Sequence, residues 1–335
     1  MRKKILVVTD NVQDQINGVV TTFKNIENFA GPNGFDIVYC DPGQFPNFAC
    51  PGYPEVRLCW PHGISKKIKA IQPDFIHIAT EGPVGLFARW WCERNHIPYN
   101  TSYHTDFAKF LKKMYGVPES ATWWYLRWFH KNSHRVLVTT ESIKEELTVR
   151  GFQNLVVWTR GVDRTIFNSS YRTDIVGDRP VLLNVGRVSK EKGLDDFCEL
   201  NYPGATKIIV GDGPYRAELQ HKYPNIIFAG AQKGVQLARY YAQADVFVFP
   251  SRADTFGVVN IEALACGTPV AAYPVAGPID IIDPGLTGFL NDNLHLAVEQ
   301  CLTLDRAAVE DASLKWTWQE CWRIFQENLI DCSVA

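Results

Sequence analysis

Short apolar runs recur along this chain at intervals that leave room for about one helix between neighbours, and this alternation constrains the fold more than any other feature. In the first half the runs fall at 5–9, 35–39, 75–79, 99–103, 135–139 and 155–158; in the second half they fall at 181–185, 207–210, 226–229, 246–249 and 270–272. A continuous apolar run of this length fits a strand covered on both faces, and strands alternating with helices imply a parallel, doubly wound sheet. A polar stretch around Ser169, Ser170, Gly177 and Asp178 carries no periodicity and separates the two sets. The expected fold class is therefore α/β, with two Rossmann-like βαβ domains at 1–168 and 169–314 whose parallel sheets face an interdomain cleft. Residues 315–335 carry Trp316, Trp318, Trp322, Phe325 and Leu329 at roughly helical spacing. They read as a packing helix or, more specifically, as a C-terminal helix crossing back to the first domain.

Composition narrows the partners. The 335 residues contain 34 Lys plus Arg against 36 Asp plus Glu, a formal charge of −2, so no global positive field favours nucleic acid. The nine cysteines are dispersed without a C-x-x-C pair, which argues against a zinc site and a disulfide framework. Met1-Arg2-Lys3-Lys4 precedes an apolar run that ends before Thr9 and Asp10, so it reads as the edge of a buried strand and not as an export signal. No stretch approaches the roughly 18 apolar residues of a membrane span. A reducing, cytoplasmic location is expected.

The first strand runs into Asp10-Asn11-Val12-Gln13-Asp14-Gln15-Ile16-Asn17-Gly18-Val19-Val20 and not into G-x-G-x-x-G, which removes most support for a dinucleotide-dependent dehydrogenase. Gly18 at a helix start would let an anion approach backbone N–H groups; a plain turn glycine fits equally well. The first strand of the second set leads into Gly186-Arg187-Val188-Ser189-Lys190-Glu191-Lys192-Gly193. Open α/β sheets bind ligands at the carboxyl ends of their strands, so Arg187 and Lys192 suit a diphosphate, or else form a solvated basic turn. The run at 246–249 leads into Pro250-Ser251-Arg252-Ala253-Asp254-Thr255-Phe256-Gly257-Val258-Val259-Asn260-Ile261-Glu262. A helix opening near Phe256 would offer free N–H groups, with Glu262 about two turns in, and Asp254 as either a ligand-binding carboxylate or a cap. Gly211-Asp212-Gly213 reads first as a tight turn, and His104 by itself as a structural histidine. Residues 107–131 interleave Lys109, Lys112, Lys113, Arg127 and Lys131 with large aromatics, the pattern of amphipathic helices or of a surface that meets lipid headgroups or sugar rings.

Taken in order, these elements resemble retaining glycosyltransferases of the GT-B fold, in glycosyltransferase family 4. The matching pieces are Asn17-Gly18-Val19-Val20, Ser102-Tyr103-His104-Thr105, Gly161-Val162-Asp163, the 186–193 segment, Val210-Gly211-Asp212-Gly213-Pro214, Ala244-Asp245-Val246 and an E-x7-E-like signature within 250–267. Together they span almost the whole chain. Ile76-His77-Ile78-Ala79-Thr80-Glu81-Gly82-Pro83, Thr101-Ser102-Tyr103-His104-Thr105-Asp106 and Arg160-Gly161-Val162-Asp163 bring the resemblance closest to nucleotide-sugar-dependent α-mannosyltransferases. Two departures stand out: the first acid of the signature is Asp254, one methylene shorter than glutamate, and the 193–207 segment is brief for a full helix.

Residue by residue, the resemblance implies that Glu262 holds the nucleotide ribose, Asp254 a hydroxyl of the donor sugar, and Arg187 with Lys192 the diphosphate. His104 would lie near the sugar. Gly18, Gly186, Gly211, Gly213, Thr255, Phe256, Gly257 and Val258 would line the nucleotide sugar. The implied reaction is retaining transfer of a hexose, foremost mannose from GDP-mannose, to a hydroxyl of a glycan, lipid or small-molecule acceptor. Lys109, Lys112 and Lys113 would belong to the acceptor or membrane-facing surface, with peripheral contact at the inner face of a membrane. No cofactor or metal is expected, because no two aspartates are separated by one residue and the D-x-D metal motif is absent. A UDP-sugar donor is the near alternative; a sugar-nucleotide epimerase, a phosphorylase and a non-catalytic binding protein are the others on this architecture.

Overall fold

The computed structural model describes residues 2–14, 18–50, 53–104, 107–173, 180–252 and 254–332, and describes backbone alone at 53–56, 109, 110, 113 and 114. The chain forms two units, Met1–Arg160 with Trp318–Ala335, and Gly161–Thr317.

In the first unit the elements follow as β1 (Lys3–Val8), α1 (Gly18–Ala30), β2 (Phe35–Cys40), β3 (Asn47–Cys50), β4 (Tyr53–Cys59), α2 (Ile64–Ile71) and β5 (Phe75–Ile78). They continue with α3 (Pro83–Arg94), β6 (Asn100–Tyr103), α4 (Phe107–Tyr115), α5 (Glu119–His130), β7 (Val136–Val138), α6 (Glu141–Val149) and β8 (Leu155–Val157). The sheet order is β2-β1-β5-β6-β7-β8, with parallel pairing throughout. In β1 the continuous apolar run is explained by burial on both faces: Leu6 and Val8 enter one core cluster, Ile5 and Val7 the other. The antiparallel hairpin β3–β4 was outside the sequence expectation, because its exposed first strand carries no buried apolar run.

The second unit runs β9 (Val181–Val185), α7 (Leu194–Glu199), β10 (Thr206–Val210), α8 (Arg216–Lys222), β11 (Ile227–Gly230), α9 (Gly234–Gln243) and β12 (Val246–Phe249). It continues with α10 (Val258–Ala265), β13 (Val270–Ala272), α11 (Pro278–Ile281), β14 (Gly288–Leu290), α12 (Leu294–Cys301) and α13 (Arg306–Ala312). Its sheet is parallel in the order β11-β10-β9-β12-β13-β14. The strand order reverses between β1 and β5 in the first sheet and between β9 and β12 in the second. Such reversals open a crevice at the carboxyl ends of the central strands.

The division between units differs from the expected boundaries at 168/169 and 314/315. It falls after Arg160, because Val162 and Phe167 are buried in the second unit's core and Val162 N donates to Trp316 O at 3.3 Å. The ring of Trp316, 5.6 Å from Phe256, likewise keeps the 314–317 segment with the second unit. Of the polar stretch, Ser169–Tyr171 form a single 3-10 turn within that unit; residues 174–179 lie outside the described residues.

Helix α14 (Trp318–Glu327) belongs to the first unit. Trp318, Cys321, Trp322 and Phe325 bury one face, with Phe325 5.1 Å from Trp158 and 5.0 Å from His77, and Trp158 Nε1 donates to Cys321 O at 2.9 Å. The opposite face carries Arg323 between Glu320 and Glu327. Burying an apolar helical face accounts for the aromatic spacing at the C-terminus.

Candidate active site

In the second unit, Gly186 follows β9 at the strand reversal, and half-buried Arg187 comes next. The backbone here is packed too closely for side chains: a Cβ on Gly211 (φ +151°) would lie 1.8 Å from Gly186 O, and one on Gly213 2.4 Å from Val188 O. The Gly211-Asp212-Gly213 turn therefore lies directly against the 186–188 backbone. Lys192 ends a single 3-10 turn, Lys190–Lys192, before the six-residue α7, the trimmed helix that the brief 193–207 segment led one to expect.

Across the reversal, the β12 loop ends at Gly257 in the left-handed region (φ 80°), and α10 opens at Val258, two residues after Phe256. Phe256 is a buried core residue, so at that position only its backbone remains for a ligand. Buried Thr255 precedes it. Lys192 Nζ donates to Asp254 Oδ1 at 2.6 Å, an ion pair not foreseen from sequence. Burial alone would raise the Asp254 carboxyl; the adjacent Lys192 ammonium, with hydrogen bonds from Lys192 and Ser251, brings it below its ordinary value.

Glu262 stands apart from that pair. Its Oε2 accepts from the Tyr241 hydroxyl at 2.9 Å, and burial pushes its carboxyl up to about 7 against the lowering effect of that bond. The Tyr241 ring is fixed between Phe167 and Phe247, with centroids at 6.0 and 5.5 Å. Tyr241 and Asn260 were both missed by sequence reasoning. Asn260 is fully buried, and neither atom of its amide finds a partner among the described residues. An aromatic run in α9 and a polar residue inside α10 give no signal of their own at sequence level.

In the first unit, Asp10 ends the approach from β1. Its Oδ1 accepts from Val84 N (2.7 Å), and its Oδ2 from Thr80 Oγ1 (2.7 Å) and Gly85 N (3.4 Å). Gly82, the N-cap of α3, has no side chain to satisfy these amides, and a Cβ there would lie 2.5 Å from Asp10 Cγ; Asp10 serves as the cap instead. Burial pushes Asp10 up to about 6, with Val84, Thr80 and Gly85 opposing. Beside it, His130 Nε2 lies 3.3 Å from Glu81 Oε1, both side chains buried.

Gly18 opens α1 with open space where its Cβ would be; residues 15–17 lie outside the described residues. His104 follows β6, half-buried, and its Nδ1 accepts from Arg160 Nη2 at 2.9 Å. Thr105 and Asp106 lie outside the described residues. Lys112 pairs with Glu119 at 2.8 Å in the open, and the Lys109 and Lys113 side chains lie outside the described residues. Among the described residues no three His, Cys, Asp or Glu side chains cluster as a metal site would require, and no helix is long and apolar enough to cross a membrane.

Two Rossmann-like units of this connectivity, with cations and carboxylates at the second unit's strand reversal, define a protein of the GT-B fold, the architecture of many glycosyltransferases. Comparison with known proteins specifies the family. Residues 167–299 match the family model of glycosyl transferases group 1, and residues 19–165 match that of glycosyltransferase family 4. The chain is 30% identical over 318 residues to a GDP-mannose-dependent alpha-mannosyltransferase of Corynebacterium glutamicum, covering 86% of this chain and 76% of the relative. It is 33% identical over 317 residues to the protein of that name in Mycolicibacterium smegmatis, covering 86% and 84%. Among solved structures, sucrose-phosphate synthase from Thermosynechococcus elongatus superposes with a TM-score of 0.79 at 18% identity, covering 97% of this chain and 98% of that one. Anabaena HepE in complex with UDP-glucose gives 0.72 at 18% identity, with 97% and 98% covered. The chain belongs to glycosyltransferase family 4 and is a hexosyltransferase.

Proposed function

We propose that this enzyme transfers mannose from GDP-mannose, with retention at the anomeric carbon and without a metal ion, to a hydroxyl of a glycan or lipid. The reading is carried most by Lys192 and Asp254 meeting at the carboxyl end of the second sheet, beside the opening of α10. Breaking the anomeric C–O bond leaves positive charge on the sugar and negative charge on the departing phosphate. Fixed cations stabilise that separation more than they stabilise the ground state. Arg187 and Lys192 supply such charge, Asp254 accepts from a sugar hydroxyl, and Glu262 accepts from the ribose hydroxyls with the oxygen that Tyr241 leaves open. Mannose and GDP are favoured by the relatives that share 30% and 33% identity over most of the chain. The UDP-glucose complex of a structural neighbour keeps a UDP-sugar as the second reading, since likeness at 18% identity concerns the fold alone.

The acceptor side is assigned to the first unit. Support comes from an outer face where α5 exposes Trp124 (63%) and Trp128 (40%) beside Arg127 and Lys131, and α3 exposes Trp90 (56%) beneath Arg94. Arg89 ties the two helices together, donating to Phe129 O at 2.7 Å and Trp128 O at 2.9 Å. Large exposed aromatics interleaved with cations suit a lipid headgroup layer or the faces of sugar rings. NMR of the product formed from GDP-mannose in the presence of a chelator tests the reaction. The expected result is undiminished transfer with the donor's anomeric configuration kept; an inverted product, or loss of activity restored by manganese, would refute it.

A further inference from the structure

Arg160 ends the first unit, is buried to 3% exposure, and stacks its guanidinium 4.5 Å from the centroid of the Trp158 ring. It donates through Nη1 to Trp158 O (2.6 Å) and Thr159 O (2.9 Å), and through Nη2 to His104 Nδ1 (2.9 Å). A guanidinium has five donors and no acceptor. Whatever faces Nη2 must therefore offer a lone pair, and at His104 that atom is Nδ1. The single proton of the neutral ring then belongs on Nε2.

We infer that Arg160 is a positioning residue that fixes His104 as the neutral, Nε2-protonated tautomer, so that this ring acts as a hydrogen-bond donor and not as an acid or base. An Nε2–H donor takes an oxygen acceptor, such as a sugar hydroxyl or a phosphate oxygen; that ligand assignment rests on the proposed transferase reading, in which the family resemblance implies that His104 lies near the sugar.

The surroundings oppose a second proton on the ring. Burial comes first, followed by the Arg160 charge and then His77 and His130, and together they hold His104 well below the usual histidine range. His77, on β5, is itself pushed down to about 3 by burial and Arg160, while His130, on α5, faces Glu81. From α14 the Cys321 thiol faces Arg160, and from α1 the Phe23 ring lies 6.4 Å from His104. Burial lowers Arg160 only to about 10, so it stays cationic at neutral pH. A neutral donor suits a leaving group that already departs readily, because such chemistry needs a hydrogen bond and no strong general acid.

Long-range proton–nitrogen NMR on protein labelled with 15N-histidine, with the His104 signal assigned through His104→Gln, reads the tautomer directly. Between pH 5 and pH 8 the wild type is expected to show one non-titrating ring with Nε2–H and a bare Nδ1. Arg160→Met is expected to give mixed Nδ1–H and Nε2–H tautomers, with kcat about tenfold lower. Arg160→Lys, which keeps a charged donor, is expected to restore the single tautomer. A wild-type ring that titrates or carries its proton on Nδ1 overturns the inference, and this holds even if Arg160→Met does not fold. A folded Arg160→Met variant whose ring is unchanged overturns it as well. A tautomer that responds to Arg160→Met while kcat stays constant upholds the lock and refutes only the placement of His104 at the donor sugar.

Discussion

Lys192 Nζ lies 2.6 Å from Asp254 Oδ1, so a cation suited to the donor diphosphate and a carboxylate suited to the donor sugar hold each other's charge. Each can turn to a ligand that replaces the lost partner. The pair also keeps the lysine extended toward the β12 loop, where the phosphate is expected.

Lys192→Ala should mainly lower kcat, whereas Glu262→Ala should mainly raise the donor KM. The diphosphate gains negative charge as the bond breaks, while ribose hydroxyls do not change charge along the path. A hydrogen bond to a charged group contributes roughly 1.5–3 kcal/mol, so the loss in kcat should be about one to two orders of magnitude. Steady-state kinetics on both variants checks the split; an unchanged kcat in folded Lys192→Ala would remove the lysine from the mechanism.

Donor affinity should rise with pH through about 7. Glu262 must be ionised to accept from two ribose hydroxyls, and burial holds its carboxyl at about 7, up from 4.5. Stability runs in the opposite sense. A carboxyl with a raised folded pKa contributes stability that is full below its unfolded value and is lost as pH rises through the folded one. For Glu262 that loss runs from about pH 4.5 to about 7 and amounts to up to about 3 kcal/mol. Asp10, raised to about 6, adds a similar loss ending slightly lower. Thermal melts of Glu262→Gln and Asp10→Asn against pH should each flatten part of that decline; parallel curves for all three proteins would contradict the assignment.

Gly211→Ala should destabilise the second unit by about 3 kcal/mol or more, because the added methyl would lie 1.8 Å from a backbone oxygen and the backbone is already in the left-handed half of conformational space. Chemical denaturation measures this directly. A loss within about 0.5 kcal/mol would mean that the two turns are not packed together.

How much of this was legible in the sequence follows from what sequence can encode. The strands were readable because β1 and β9 are buried on both faces, which forces unbroken apolar runs such as Ile5 to Val8. The β3–β4 hairpin and β14 escaped notice: the first strand of the hairpin, Asn47–Cys50, is largely exposed, and Gly288–Leu290 is an edge strand that opens on a glycine and is only partly buried. Among the candidate site residues, Arg187, Lys192, Asp254 and Glu262 were singled out as charged residues placed directly after predicted strands or within the helix that follows. The Lys192–Asp254 pair, the Tyr241–Glu262 bond and the Arg160–His104 bond join residues separated by 62, 21 and 56 positions, and no local pattern records such contacts.

The aromatic face on α3 and α5 should govern contact with the acceptor phase. Trp124→Ser with Trp128→Ser should reduce binding to anionic phosphatidylglycerol vesicles at least about tenfold while leaving GDP affinity unchanged, and replacing Lys109, Lys112 and Lys113 with serine should act in the same direction. Vesicle flotation and nucleotide titration read the two quantities separately. Absence of wild-type binding to the vesicles, together with unaltered acceptor kinetics in both variants, would return this face to ordinary protein surface.

The most direct test of the account is to incubate the enzyme with a panel of sugar nucleotides, with and without glycan and lipid acceptors, and to measure nucleotide release beside the glycosylated product. The account predicts GDP released from GDP-mannose in step with a mannosylated acceptor, and little turnover of the other donors. A donor isomerised without any acceptor, or no nucleotide released from any donor under any acceptor condition, would contradict it.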